Sequence, residues 1–297
     1  MMKPLLYFLL VWEAVAQDFA GKVCYITGAT SGLGEYIAVE AAKEGCAVSL
    51  VGRRKEMGDV LVAKIEASGG KAMFSACDVS DESCIAASIA KTVESFGGLD
   101  YTLNNAGGAS KGDGGPPHLM EVSDFDKVMD SNVKGLFICM KHEIKAMLDL
   151  NATTASVVNV GSIYSVTAQV QSTAYVTSKH ALVGLTKVFG LHYARDGIRV
   201  NNLAPTYFRT PLTELKFVAD ERGAGTIRDY QPSGTYCELE DLWGALKWLW
   251  SDGSLYYNAQ SLVIDGGLTA SHVPPSYQRP GLQRTTDIIN GLNSQEL

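Results

Sequence analysis

The 297-residue chain reads as an α/β protein built on a doubly wound, mostly parallel sheet of about seven strands with helices on both faces. Three observations carry this. Short apolar runs alternate with helix-length segments from residue 22 onward. The runs are apolar enough for strands covered on both sides. A glycine-rich turn joins the first run to the first helix, the position of a βα turn in such a sheet.

The elements follow in order. "KVCYIT" (22–27) is a short apolar run closed by glycine, and "GLGEYIAVEAAKEG" shows helical periodicity with a stop at Gly45. "AVSLVG" (47–52) is the second strand, and "KEMGDVLVAKIEASGG" an amphipathic helix ending in Gly69-Gly70. "KAMFSACD" (71–78), "LDYTLNNAG" (99–107), "ASVVNVGS" (155–162), "IRVNNLAP" (198–205) and "QSLVIDGG" (260–267) are the remaining strands. Ser123 and Asp126, three apart, predict the cap of a long helix reaching about Leu148. A second long helix is expected over Thr173 to Arg195. "GGASKGDGGPPHL" (107–119) is a loop by its glycines and prolines. Residues 206–235, with Pro211 and Pro232, lack periodicity and read as a lid, a binding loop or disorder. One domain, 17–270, carries everything to Ala270, and 271–297 is a polar extension. There is no internal repeat.

Composition narrows the partners. With 46% hydrophobic and 19% charged residues the chain has ordinary globular composition, and its net charge of −7 argues against nucleic acid and acidic membranes. Six cysteines form no CxxC pair, and several sit in apolar stretches. They are expected to be buried free thiols, with no zinc spacing and hence no metal. "MMKPLLYFLLVWEAVAQ" has a lysine, an apolar run and Ala14-Val15-Ala16. Residues 1–16 therefore read either as a cleaved signal peptide, placing the protein in the secretory pathway, or as an N-terminal extension of a cytoplasmic protein. The run is too short to span a bilayer. Asn151-Ala152-Thr153 is the one glycosylation sequon.

"TGATSGLG" (27–34) places Gly28, Gly32 and Gly34 between strand and helix. Such a turn lets a ligand's phosphates approach the backbone and the helix N-terminus. The second strand ends in Gly52-Arg53-Arg54 rather than in a carboxylate. Guanidinium groups there suit a 2′-phosphate, so NADP(H) is expected as cofactor, with NAD(H) the alternative. Asp78 ends the third strand and either accepts from an adenine amino group or caps a turn.

Taken together, "TGATSGLG", Asp78-Val79, "NNAG" (104–107), Asn132, Ser162, Tyr175-x-x-x-Lys179 and "DGG" (265–267) make the chain resemble the short-chain dehydrogenase/reductase family from about Phe19 to Ala270. The resemblance implies a Rossmann-like fold and a catalytic tetrad of Asn132, Ser162, Tyr175 and Lys179. It implies a cofactor path along Gly28, Ser31, Gly32, Leu33, Gly34, Arg53, Asp78, Val79, Asn105, Ala106, Gly107, Phe208 and Thr210, with Tyr175 and Lys179 at its nicotinamide end. It also implies a homodimer or homotetramer built on the two long helices. The chain departs from the family at Pro205-Thr206, where Pro-Gly is common, which bears on the loop and the pocket.

The chemistry can be argued from the residues as well. Reducing a ketone by hydride leaves an alkoxide that needs a proton and donors. A tyrosine supplies both, but its ordinary pKa is about 10, so acting as a base near neutrality needs a drop of roughly three units. A lysine cation at about 4 Å contributes at most on the order of 4 kcal/mol at an effective dielectric of 20, a ceiling that desolvation opposes and an oxidised nicotinamide assists. Tyr175 and Lys179 stand at i and i+4 on a predicted helix and share a face. Tyr164 has no lysine in register and is expected in the substrate pocket with Gln169, Tyr207 and Leu212, beside Phe208, Leu215 and Phe217. The expected activity is interconversion of a secondary alcohol and a ketone of medium, lipophilic or cyclic character. A non-catalytic dinucleotide-binding sensor or scaffold is the rival.

Overall fold

The structure is a computed structural model describing residues 19–210, 213 and 231–270. Seven strands, β1 (Val23–Thr27), β2 (Ala47–Gly52), β3 (Lys71–Ala76), β4 (Tyr101–Asn104), β5 (Ser156–Val160), β6 (Arg199–Pro205) and β7 (Ser261–Ile264), form one sheet in the order β3-β2-β1-β4-β5-β6-β7. Every neighbouring pair is parallel, so the sheet expected to be mostly parallel is wholly so. The helices are α1 (Gly32–Lys43), α2 (Lys55–Ala67), α3 (Glu82–Phe96), α4 (Val122–Met129), α5 (Gly135–Asp149), α6 (Thr173–His192) and α7 (Leu239–Trp250).

Strand alternation sorts the core into two layers. Ile26, Leu50, Leu103, Val158 and Leu203 pack with Leu33 and Ile37 of α1, Leu61 and Ile65 of α2, and Leu242 and Leu246 of α7. Tyr25, Val51, Val157 and Val200 face the other way, onto Ile85 and Ile89 of α3, Met140 and Ile144 of α5, and Leu182 of α6. Each fully buried side chain of this kind contributes roughly 1.5–3 kcal/mol. At the N-terminal edge of the sheet, Tyr101 stacks on Trp250 at 5.5 Å, with Phe19 and Trp243 edge-on against Trp250. The chain winds outward from β1 to β3 and then crosses back to β4. Between β1 and β4 the order reverses, and the strand C-termini part into the crevice where open parallel sheets bind ligands.

Several expectations change. The long helix begins at Val122, with Glu121 rather than Ser123 at its N-cap and no side-chain cap bond. The Asp124 and Phe125 amides donate to the Glu121 carbonyl, so the backbone closes the first turn and Ser123 lies inside it. The helix runs to Asp149 but carries a π turn at Asp130–Lys134 between α4 and α5. The second long helix stops at His192, followed by a 3-10 turn at Ala194–Asp196 and the left-handed Gly197. The loop 107–119 contains two 3-10 turns, Lys111–Gly114 and Pro117–Leu119. The reading of six free thiols is corrected: Cys24 pairs with Cys46 and Cys77 with Cys84, and Cys139 and Cys237 alone are free and buried. The strand register that sets β1 beside β2 brings the first pair together, and the tight turn from β3 into α3 brings the second.

The possible signal segment 1–16, the pocket candidates Leu212, Leu215 and Phe217, and the extension 271–297 lie outside the described residues. Among those described, no helix is long and apolar enough to cross a membrane.

Candidate active site

The first wall of the crevice is the glycine turn. Gly28 and Gly32 have φ of +65° and +60°, values glycine tolerates without a Cβ clash. A Cβ on Gly28 would lie 2.8 Å from Asn105 Nδ2 and 2.9 Å from Ala106 Cα, so the backbones of β1 and β4 meet there. The Asn105 amide donates to the carbonyls of Thr27 and Gly28, both at 3.2 Å, and the Asn105 and Ala106 N–H groups donate to Thr27 Oγ1 at 3.1 Å. Asn105 thus braces the turn. Ser31 is the N-cap of α1 without a side-chain cap bond, and Leu33 and Gly34 are buried in the first turn. A Cβ on Gly32 would sit 3.2 Å from Thr210 Cγ2, which places Thr210 against this helix start. Phe208 is held nearby by a bridge to Cys237.

The two arginines divide. Arg54 donates to Thr30 Oγ1 from Nε and Nη2, at 3.1 and 2.7 Å, and to Ser31 Oγ from Nη2 at 2.8 Å. Its guanidinium therefore lies on the rim of the glycine turn. Arg53 is largely exposed, with Nη1 3.6 Å from Asp78 Oδ2. The Asp78 carboxyl is held below the usual carboxylate range, first by the Ser80 amide. Its Oδ1 accepts from Ser80 N and Oγ at 3.0 and 2.8 Å, which is the turn-cap geometry. Val79 packs under the α5 start, where a Cβ on Gly135 would meet Val79 Cγ2 at 2.7 Å. This cradle of glycines, an open helix N-terminus and two guanidinium groups fits the phosphates of a dinucleotide.

The predicted tetrad converges on the C-terminal ends of β4 and β5. Ser162 follows β5 and is buried. Tyr175 and Lys179 share one face of α6, with Lys179 Nζ 5.4 Å from the Tyr175 ring centroid and donating to the Val160 carbonyl at 2.7 Å. Burial pushes the Tyr175 phenol above its ordinary range; Ser162 opposes this by hydrogen bonding to it, and Tyr207 adds to the rise. Burial also brings Lys179 down from 10.5 to about 8. Desolvation is the largest of these effects on Tyr175 and outweighs the Ser162 hydrogen bond. Asn132 sits in the π turn and is buried. Its Nδ2 donates to Gly108 O at 2.9 Å and Ser178 Oγ at 3.0 Å, and its Oδ1 accepts from Gly108 N at 3.0 Å. A Cβ on Gly107, whose φ is +152°, would fall 2.7 Å from Asn132 Oδ1. Asn132 thus fastens the loop after β4 to α6 and makes no direct bond to Lys179 among the hydrogen bonds described.

The candidate pocket forms beside Tyr175. Tyr164 lies edge-on to it at 6.4 Å and edge-on to Tyr207 at 6.4 Å. The Tyr164 hydroxyl donates to Gln169 Oε1 and shares a hydrogen bond with the Tyr207 hydroxyl, and Tyr207 Oη donates to Gln169 Oε1 at 3.2 Å. Burial and the Tyr207 bond keep Tyr164 protonated far above neutrality. Thr206, where the family often has glycine, extends β6: its N–H donates to Ile264 O at 3.0 Å and its hydroxyl accepts from Gln231 at 3.2 Å. Asp113 is a residue that sequence reasoning missed. Buried in the loop after β4, it accepts from the Ala174 and Tyr175 amides, both at 2.9 Å. Only its place in a glycine-rich loop could have hinted at a packed role.

A family model described as enoyl-(acyl carrier protein) reductase matches residues 28–269. A 2,5-dichloro-2,5-cyclohexadiene-1,4-diol dehydrogenase from Sphingobium indicum is 36% identical over 254 residues, covering 86% of this chain and 99% of the relative. A solved levodione reductase superposes with a TM-score of 0.78 at 31% identity, over 86% of this chain and all of that one. A gluconate 5-dehydrogenase from Burkholderia cenocepacia, solved with NADP and tartrate, gives a TM-score of 0.80 at 28% identity over 87% and 99% of the two chains. The chain belongs to the short-chain dehydrogenase/reductase family. It is an oxidoreductase acting on CH–OH and C=O groups, in a family that uses NAD(P).

Proposed function

We propose that this chain is an NADP(H)-dependent oxidoreductase interconverting a secondary alcohol and a ketone, with Tyr175 as the proton donor. The observation that carries the reading is the meeting of Tyr175, Ser162 and Lys179 at the ends of β5 and α6. A bound nicotinamide supplies or accepts the hydride. Ser162 Oγ orients the substrate oxygen, and Tyr175 Oη gives it a proton on reduction and takes one on oxidation. Lys179, half-protonated near pH 8, holds positive charge beside the phenol and binds the nicotinamide ribose. Asn132 supports proton relay towards Lys179 by keeping the loop after β4 in register with α6.

The NADP preference is supported by Arg53 and Arg54, with Arg54 already at the turn. The substrate reading is a lipophilic ring ketone or alcohol. It is supported by the aromatic wall of Tyr164 and Tyr207, and by the cyclohexadiene diol in the name of one similar protein. A homodimer or homotetramer through α5 and α6 belongs to the same proposal, since Phe137, Val188 and Leu191 stand exposed on those helices.

Titration of the full chain with NADPH and then NADH, followed by protein fluorescence, tests the cofactor half. At least tenfold tighter NADPH binding is expected, and Arg53→Asp should abolish the preference. Tighter NADH binding by the wild type would refute it.

A further inference from the structure

We propose that Asp113 is a positioning residue that sets Tyr175 from across the loop after β4. The inference rests on the reading of Tyr175 as the proton donor. α6 begins at Thr173 with Ser172 at its N-cap, yet Ser172 makes no side-chain cap bond. A helix start leaves its first amides without intrahelical partners. Here the Asp113 carboxylate takes two of them, Oδ1 accepting from Ala174 and Oδ2 from Tyr175, each at 2.9 Å. A carboxylate that accepts two amides of one turn fixes that turn in rotation as well as position, because both oxygens are committed. One of those amides belongs to the residue whose phenol reaches Ser162.

The loop carrying Asp113 is anchored at both ends. Gly108 exchanges two hydrogen bonds with Asn132. At the 3-10 turn Lys111–Gly114, Gly112 approaches α4 so closely that a Cβ would overlap the Asp124 carboxylate. Asp113 is buried, so this is no loose surface cap. The loop therefore ties Asn132 and Tyr175, on separate helices, into one frame. Misplacing a reacting group by about 1 Å can cost on the order of 100-fold in rate, so the first turn of α6 is where such a brace matters.

The test uses full-length protein labelled with tyrosine carrying carbon-13 at Cζ, so that the Tyr175 phenol can be followed by NMR as pH rises. Tyr175→Phe assigns the signal. Asp113→Asn keeps the shape but offers one acceptor oxygen and turns an amide group towards a backbone N–H. Asp113→Ala removes both acceptors. Asp81→Ala is the control: it deletes the carboxylate that caps α3 through Cys84 N at 3.1 Å, a structural cap on another helix. In both Asp113 variants the Tyr175 midpoint is expected to fall towards the ordinary value of about 10, as the phenol loses its buried seat at Ser162. Turnover of a ring ketone with NADPH should fall at least tenfold in kcat with the cofactor KM within twofold. Asp113→Glu should restore part of it. Asp81→Ala should lower the melting temperature alone. An unchanged Tyr175 midpoint in a folded Asp113→Asn or Asp113→Ala protein would overturn the inference, leaving Asp113 a helix cap only. The NMR result reads Asp113's hold on Tyr175 whatever Tyr175 does in catalysis. Failure of the proton-donor reading would show separately, as turnover surviving in Tyr175→Phe.

Discussion

Glu143 offers a stability prediction whose sign runs against the usual carboxylate. It lies on α5 against β4, fully buried. Its Oε2 accepts from Thr102 Oγ1 at 3.1 Å and Asn104 Nδ2 at 3.0 Å, while Oε1, like Asn104 Oδ1, has no partner among the described residues. Burial pushes its carboxyl from 4.5 to about 7, against the pull of the two donors. At low pH the carboxyl is protonated in both folded and unfolded chains and no cost arises. Once pH passes the unfolded value, near 4.3, the unfolded chain releases a proton that the folded chain keeps. Stability then falls by about 1.4 kcal/mol per pH unit until the folded group ionises too, and levels off. Between pH 5 and pH 8 the loss is about 2.5 kcal/mol. Glu143→Gln keeps an acceptor for Thr102 and Asn104 and removes the proton equilibrium. Urea unfolding of both proteins at pH 5, 6.5 and 8 should therefore show the variant gaining on the wild type by about 2–3 kcal/mol across that range. A difference between the two proteins that stays constant within about 0.5 kcal/mol would refute the reasoning.

Other outcomes follow from the same contacts. Lys179→Met should raise stability at pH 7 by about 1–2 kcal/mol, because burial, which brings the lysine down to about 8, penalises the fold in full below that pH, a penalty that fades only as pH climbs on towards the unfolded value of about 10.4; chemical unfolding measures this, and turnover should fall at least tenfold. Gly107→Ala places a Cβ against Asn132 Oδ1 at a positive φ, and should cost roughly 1–3 kcal/mol while loosening the loop, seen as faster amide exchange at Gly108. Gly28→Ala, crowded against Asn105 and Ala106, should weaken NADPH binding at least tenfold in a fluorescence titration.

The strands were legible because parallel strands covered on both faces are apolar along their length, and all seven appear where their runs fall. Gly28 and Gly32 were legible because only that backbone geometry demands glycine between a strand and a helix. The i, i+4 spacing of Tyr175 and Lys179 survives directly as one face of α6. What stayed hidden depends on distant partners. Asp113 meets Tyr175 across 62 positions of chain, and no local pattern encodes that. The π turn around Asn132 is paid for by its bonds to Gly108 and Ser178 rather than by local propensity. The cysteine pairs required the register of β1 on β2 and the turn after β3. The balance at Tyr175 was also hidden, because how far desolvation opposes a neighbouring lysine depends on how deeply the phenol is buried, the largest effect on it here.

The most direct test of the central claim is NADPH oxidation by Tyr175→Phe, measured with the ring ketone that the wild type reduces fastest, alongside NADPH binding by fluorescence. The account predicts NADPH affinity within about twofold of wild type and turnover reduced by at least about 100-fold, the loss of one general acid. Wild-type turnover in Tyr175→Phe would contradict it.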